Sequence, residues 1–247
     1  CGHRRSEATT LVSMAGRALV TGGAGFIGSH LAERLLDAGW QVYALDDLST
    51  GSDANVFQLA ENPSFHLTVE SVLSPSVVSE LVHKADVVFH LAAAVGVRLI
   101  VERPGHTLLT NVRGTENVLE YAGRFGKPVL IASSSEVYGD HPGENLPLRE
   151  DARRIYGPTT AKRWAYADSK AMDEFLALAR HEEEDLRCVI ARLFNTVGPR
   201  QSGQYGNVIP RFVQAALAGE PLEVHGDGSQ TRCFCHVRDV VRRLERL

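Results

Sequence analysis

The chain is poor in several features that define whole classes of protein. Only four of its 247 residues are cysteine, at positions 1, 188, 233 and 235. That spacing builds neither a zinc site nor a disulfide framework, so the thiols read as reduced packing residues and fit a cytoplasmic setting. Cys233 and Cys235 fall two apart on a predicted strand and would share one of its faces. The ten histidines show no ligand spacing, and no metal site is expected. Long hydrophobic runs are missing too. The longest near-apolar stretch, 87–97, contains His90 and Gly96 and falls well short of the roughly 20 residues of a bilayer-spanning helix. Arg4 and Arg5 are not followed by an apolar leader segment, so no secretory signal is expected. Neither sign of charge dominates. The net charge of −4 provides no broad basic field for nucleic acid or an anionic membrane. Internal repeats and low-complexity tracts are absent. What remains is an ordinary globular composition, 44% hydrophobic and 23% charged, in a length that suits one large domain or one domain with a small lobe.

Against this background residues 17–46 stand out. A short apolar strand, Arg17–Thr21, runs into a turn with glycines at 22, 25 and 28. An amphipathic helix pattern follows, with Leu31, Leu35 and Leu36 apolar and Glu33, Arg34 and Asp37 polar. A second strand stops at Asp46, eighteen residues after Gly28. A dinucleotide-binding strand–helix–strand unit needs this order. Gly22 allows the tight turn, Gly25 lets the backbone approach a pyrophosphate, and Gly28 lets helix and strand pack closely. The helix N-terminus presents N–H groups and the positive end of its dipole to the phosphates. Asp46 can accept hydrogen bonds from both hydroxyls of the adenine ribose and would repel a 2′-phosphate. The expected cofactor is therefore NAD rather than NADP.

Strand and helix patterns alternate beyond this unit. Strands are predicted at 65–69, 86–91, 127–132 and 187–193, and helices at 75–83, 104–125 and 161–180. The fold class implied is α/β, a doubly wound parallel sheet. After Leu193 the texture changes to a loop marked by Gly198, Pro199, Gly203 and Gly206. A helix at 210–218, a strand at 222–225, a turn at 226–228 and a helix at 237–247 follow. The expected organisation is a nucleotide-binding domain over 14–193 and the start of a substrate-binding lobe over 194–247, with 231–247 returning to the first domain. Residues 1–13 read as an extension ahead of Met14.

Two groups could carry chemistry. Tyr166 and Lys170 are four apart in a helical segment and so share a face. A nearby ammonium stabilises phenolate, which would lower the tyrosine pKa and make it a general base. The lysine could also hold a nicotinamide ribose. Ser133, Ser134 and Ser135 follow a buried strand, with Glu136 next; a hydroxyl at that strand end could donate to an oxygen that alternates between alcohol and ketone.

With these stretches in hand, the chain resembles the extended short-chain dehydrogenase/reductase family, in its nucleotide-sugar epimerase, dehydratase and decarboxylase branch. The matching segments are 21–30, 46–51, 90–93, 111–115, 134–140, Tyr166 with Lys170, 192–200 and 226–232. The resemblance implies an NAD-binding Rossmann fold with a small, shortened C-terminal lobe, since family chains continue past the helix at 237–247. It implies catalytic roles for Ser134, Tyr166, Lys170 and Glu136. Glu136 would handle a proton next to a transient ketone; Ser135 stands where one dehydratase group carries aspartate. It implies a cofactor held by Gly22, Gly25, Phe26, Ile27, Gly28, Asp46, Leu48, Ser49, Thr50, Gly51, Ser71, Val72, Leu91, Ala92, Ala93, Asn111, Ser133, Tyr166, Lys170 and Leu193. Asn111 would support the lysine region, and Ser71 stands where relatives have the aspartate that meets adenine. The substrate's nucleotide diphosphate would be held by Ser134, Asn195, Asn207, Val208, Arg211, Leu222, Val224 and Arg232. The guanidinium fork of Arg232 suits phosphate oxygens in its own right.

The activity implied is an NAD-dependent UDP-sugar 4-epimerase acting through a 4-keto sugar. UDP-glucuronate decarboxylation and nucleotide-sugar 4,6-dehydration are the alternatives. From a different class stands a non-catalytic nucleotide-binding module. A homodimer is expected through the helices at about 104–125 and 161–181, whose apolar residues exceed one sheet-facing stripe.

Overall fold

The computed structural model describes residues 16–95, 102–140, 147–203, 208–224 and 226–247. The first thirteen residues, Asn207 and His225 fall outside this set. Six parallel strands form the central sheet: β1 (Arg17–Thr21), β2 (Gln41–Asp46), β3 (Phe65–Val69), β4 (Val87–His90), β5 (Val129–Ser134) and β6 (Cys188–Leu193). Their order is β3-β2-β1-β4-β5-β6, the doubly wound arrangement. Helices α1 (Phe26–Asp37), α2 (Pro75–Lys84), α3 (Pro104–Phe125) and α4 (Trp164–Glu184) make the crossovers.

Because successive side chains on a strand face opposite ways, each buried strand feeds two cores. Ala18, Val20, Val42, Ala44 and Leu130 pack with Leu31, Ala32 and Leu35 of α1 on one face. Leu19, Leu45, Val88 and Ile131 pack on the other face with Val78 and Leu81 of α2, Val118 and Leu119 of α3, and Ala177 of α4. Burial on both sides explains why these strands lack clean polar alternation.

Beyond β6 the chain forms a two-stranded parallel pair, β7 (Asn195–Val197) with β8 (Phe234–His236). Helix α5 (Val208–Ala218) lies between them in sequence and has no buried residue. The last helix, α6 (Val237–Leu244), returns to the first core, where Val237, Val240, Val241 and Leu244 pack beside α1.

Three local expectations change. Residues 222–224 form no strand. Their alternating Leu-Glu-Val pattern mimics one, but Leu222 and Val224 are exposed and pair with no neighbour. Strand β5 runs on through Ser134, where a carboxyl-terminal extension pairs Ser133 and Ser134 with Arg192 and Leu193. Cys233 lies outside β8 and is exposed, so it does not share a strand face with Cys235.

Candidate functional site

The strand order reverses between β1 and β4, and the carboxyl ends of β1, β2, β4, β5 and β6 open into one cavity of about 1180 Å³. Such a switch point is where open parallel sheets bind ligands. The volume exceeds the roughly 300–1,000 Å³ of a pocket for one small ligand, so it has room for a cofactor and a second molecule.

At one end lies the glycine turn. Gly22 adopts φ +71, and a Cβ there would sit 2.9 Å from the Ala92 nitrogen. A Cβ on Gly28 would lie only 2.0 Å from the Gly22 carbonyl oxygen. These two contacts bring the start of α1 against the ends of β1 and β4. Gly25 is the N-cap of α1 and offers no side chain to its N–H groups, which leaves them for a phosphate in the cavity. The residues present therefore fit a dinucleotide. Asp46 is nearly buried. Its two carboxylate oxygens accept from the Ala24 N–H at 3.0 Å and the Leu48 N–H at 2.9 Å. Burial pushes its pKa up against these backbone hydrogen bonds. Asp46 thus shapes the glycine turn as well as facing the cavity. Leu48, next to it, is held at φ +58, a left-handed conformation that an L-residue adopts only when its surroundings enforce it.

At the other end, Tyr166 and Lys170 of α4 face Ser134 at the tip of β5. The Ser134 hydroxyl accepts from the Glu136 N–H at 3.2 Å, capping a short 3₁₀ turn, and lies in the same cavity wall as Tyr166. Cap and site are one residue. Lys170 is buried, and its ammonium donates to Asp173 Oδ2 at 3.0 Å. Burial works to lower the Lys170 pKa, but the Asp173 charge and Tyr166 outweigh it, and the pKa is raised. The Tyr166 phenol is pushed up by burial, with Asp173 and Glu136 adding to the rise and Lys170 and Ser134 opposing it. The expected lowering of the tyrosine by its lysine is present as a contribution, but it is not the net direction.

A buried polar network supports this end. Asn111 accepts from the Ala94 N–H at 2.7 Å and donates to Ser169 Oγ at 3.0 Å, which in turn donates to the Tyr166 carbonyl. Thr21 Oγ accepts from the Ala92 N–H and lies 2.7 Å from His90 Nδ1. His90 Nε2 lies 3.0 Å from Thr115 Oγ. Burial, aided by the Lys170 charge, pushes the His90 imidazole down to about 3, so it is neutral. Ser133 donates to Glu174 at 2.5 Å, and Arg192 grips the same carboxylate with two N–H groups at 2.8 and 2.6 Å.

Of the residues expected at a cofactor, Gly22, Gly25, Phe26, Ile27, Gly28, Asp46, Leu48, Ser49, Thr50, Gly51, Val72, Leu91, Ala92, Ala93, Ser133, Tyr166, Lys170 and Leu193 line the cavity, as do Ser134 and Glu136. Ser71 does not; its hydroxyl accepts from the Leu73 N–H. Glu70 and Val72 occupy that part of the wall. Asn111 sits behind the wall, bonded to Ala94 and Ser169. Among the described residues, the expected substrate residues beyond β6 do not line the cavity. Asn195 donates to the Cys233 carbonyl, Arg211 pairs with Glu223, and Arg232 donates to the Thr231 carbonyl. Val208, Leu222 and Val224 are exposed on that same segment. Asn207 lies outside the described residues. Instead Thr196, Arg200, Gln201 and Ser202 approach from this side. Arg200 bonds to Glu33 at 2.6 Å and to Ser29 at 3.2 Å on α1. Arg103, His106 and Arg163 also line the cavity. Arg200 was hidden from sequence reasoning because its partners Ser29 and Glu33 lie far away along the chain.

A doubly wound fold, a glycine cradle and a Tyr-Lys-Ser group on one cavity define a nucleotide-dependent enzyme fold of the short-chain dehydrogenase/reductase type. The chain belongs to the NAD-dependent epimerase/dehydratase family, whose model matches residues 18–246. It is 45% identical over 226 residues to a UDP-N-acetyl-alpha-D-glucosaminuronate decarboxylase of Bacillus cytotoxicus, covering 91% of this chain and 68% of that one. It is 39% identical to UDP-glucuronic acid decarboxylase 4 of Arabidopsis thaliana, over 94% of this chain and 50% of that protein. Among solved structures, a UDP-glucuronic acid 4-epimerase from Bacillus cereus, in complex with UDP-glucuronic acid and NAD, superposes with a TM-score of 0.82 at 31% identity. That match covers 93% of this chain and 72% of the epimerase. The chain thus spans half to about two thirds of the length of these curated relatives. NAD is the coenzyme of the family. No described helix is long and apolar enough to cross a membrane.

Proposed function

We propose that the chain carries the nucleotide-binding and catalytic part of an NAD-dependent UDP-uronate decarboxylase. The observation that carries the enzymatic reading is the convergence of Ser134, Tyr166 and Lys170 on one cavity wall, opposite the glycine cradle. The named relatives at 45% and 39% identity favour decarboxylation over the 4-epimerase expected from motifs alone. A cavity lined by Arg103, His106 and Arg163 suits a substrate that carries a carboxylate as well as a diphosphate.

When bound, NAD supplies a reversible hydride acceptor for the sugar C4. Tyr166 takes the proton of the C4 hydroxyl as its C–H bond breaks, and Ser134 donates to the same oxygen. Lys170 keeps a positive charge beside the phenolate. The resulting C4 ketone stands β to the C5 carboxylate, so the carbon–carbon bond breaks and carbon dioxide leaves. A proton replaces it at C5, with Glu136 the acid next to Ser134 in the cavity wall. Tyr166 then returns its proton to the C4 oxygen, and NAD, when bound, would give the hydride back so that the cycle has no net redox change.

The second reading is 4-epimerisation, favoured by the fold match to the epimerase that binds UDP-glucuronic acid. The two share every step up to the ketone. Incubation of the full chain with NAD and UDP-glucuronate separates them: decarboxylation releases carbon dioxide and a UDP-pentose, whereas epimerisation yields a C4 epimer with its carboxylate intact.

We also propose 14–193 as the nucleotide-binding unit and 194–247 as the start of a substrate lobe, with 231–247 returning to the first unit. Packing of α6 against α1 supports the return. A homodimer through α3 and α4 accounts for the exposed Leu108, Leu109, Met172, Phe175 and Leu178 on those helices.

A further inference from the structure

Asp173 has no part in the chemistry proposed above, yet it lies directly behind Lys170, which lines the cavity. It stands three residues beyond Lys170 on α4 and is 0% exposed. Its Oδ2 holds the Lys170 ammonium at 3.0 Å, while Oδ1 has no hydrogen-bond partner of good geometry. A buried carboxylate with an unfilled oxygen is costly, so its presence calls for a reason other than stability. We propose that Asp173 is a positioning residue that pins the Lys170 ammonium into the cavity wall and sets how much of its charge reaches the Tyr166 phenol.

The neighbourhood allows this to be worked through. The charged groups that act on Tyr166 are Lys170 and Asp173 from α4 and Glu136 from the turn after β5, with the Ser134 hydroxyl opposing the rise. Lys170 is faced by Asp173, Glu174 and Tyr166, and across the core by His90 of β4, which is neutral. From α3 the uncharged Thr115 lies beside the carboxylate. Asp173 therefore acts in two opposed ways. It holds the Lys170 ammonium in place against burial, which works to lower the lysine pKa. It also offsets part of that charge at Tyr166, holding the phenol protonated to higher pH.

This inference rests on Tyr166 as the base, and its test is built to fail separately. Asp173→Asn removes the charge at nearly constant shape, and Asp173→Ser does so with a smaller side chain if the first variant does not fold. Asp173→Glu keeps the charge. The Tyr166 titration midpoint is read by carbon NMR in the full chain labelled at tyrosine Cζ, with Tyr166→Phe assigning the signal. The expected result is a midpoint lower by about one pH unit in the Asn or Ser variant, the scale for losing one buried neighbouring charge, and a midpoint near the parent's in the Glu variant. The acid limb of turnover on UDP-glucuronate moves down by the same amount, about tenfold in phenolate fraction at fixed pH. An unchanged or raised midpoint in folded, charge-removed protein overturns the proposal. A shifted midpoint in a chain that turns over no nucleotide sugar retains the role of Asp173 and removes the proposed function instead.

Discussion

Replacing Gly28 by alanine tests the glycine cradle with a single methyl group. The added Cβ would lie 2.0 Å from the Gly22 carbonyl oxygen and 2.8 Å from its carbonyl carbon. Both atoms are backbone, so no side chain can rotate away. Relief requires α1 to move outward by more than 1 Å, on the order of the overlap with an ordinary contact of about 3.5–4 Å. That motion is resisted, because Leu31, Ala32 and Leu35 on its inner face are all 0% exposed. Overpacking of a close-packed interior costs roughly 1–3 kcal/mol, and a backbone clash places this substitution at the top of that range. At about 2–4 °C per kcal/mol for a chain of this size, the Tm falls by about 6–12 °C. The same motion pulls the α1 N-terminus away from Gly22 and weakens NAD binding. Gly105→Ala is the matched control. Nothing lies within 4 Å of its added Cβ, and it falls in the first turn of α3, so stability rises by up to about 1 kcal/mol. Differential scanning calorimetry and NAD titration calorimetry read both variants. A Gly28→Ala protein with parental Tm and NAD affinity would refute the close-approach argument.

Other consequences follow from the same geometry. Tyr166→Phe keeps the ring and removes the proton acceptor, so NAD binding survives while turnover drops by about 10²–10⁴-fold; Lys170→Ala also weakens NAD binding, and Ser134→Ala lowers the rate less. Should Tyr166→Phe keep near-normal turnover, Glu136 becomes the leading proton-handling group. The unmodified chain prefers NAD to NADP, and Asp46→Ala narrows that preference. Because Asp46 also ties down Ala24 and Leu48, the informative quantity is the ratio of the two affinities, and equal affinities in the parent would exclude the ribose role. Neutral His90 makes the fold acid-sensitive. Its pKa is near 3 when folded against 6.5 in the open chain, so below pH 6.5 the unfolded state binds the extra proton. Stability then falls by up to about 1.4 kcal/mol per pH unit down to about pH 3, and His90→Gln flattens that slope in urea titrations. Finally, sedimentation equilibrium should find a dimer that Phe175→Glu dissociates; a parent that stays monomeric at all concentrations removes the α3–α4 interface.

Much of the fold was legible because its signals are local. The glycines at 22, 25 and 28 place a strand before them and a helix after them, and the structure has β1 and α1 there. The span 104–125 carries a helical period and Gly126 just beyond it at φ +65, so its limits agree with α3. Tyr166 and Lys170 were visible through their helical spacing. Features that depend on distant partners were hidden. His90 meets Thr21 across 69 residues and Thr115 across 25, and Arg200 reaches α1 across 167. The direction of the Tyr166 shift needed burial and Asp173, neither of which the Tyr-Lys spacing contains. The pattern at 222–225 imitates a strand, but a strand requires a neighbour and residues 222–224 have none. The described substrate residues expected beyond β6 lie outside the cavity lining, while Thr196, Arg200, Gln201 and Ser202 of the same region reach it.

The central claim is that a hydride leaves the sugar C4 and later returns to it, while Tyr166 manages the hydroxyl proton. Turnover of UDP-glucuronate carrying deuterium at C4, with the product analysed by NMR, tests this most directly. The account predicts a UDP-pentose that retains the deuterium at C4, formed with loss of carbon dioxide, and no such product from Tyr166→Phe. Product in which the C4 deuterium has exchanged with solvent would contradict it, because the C4 hydrogen would then have left as a proton and not as a hydride.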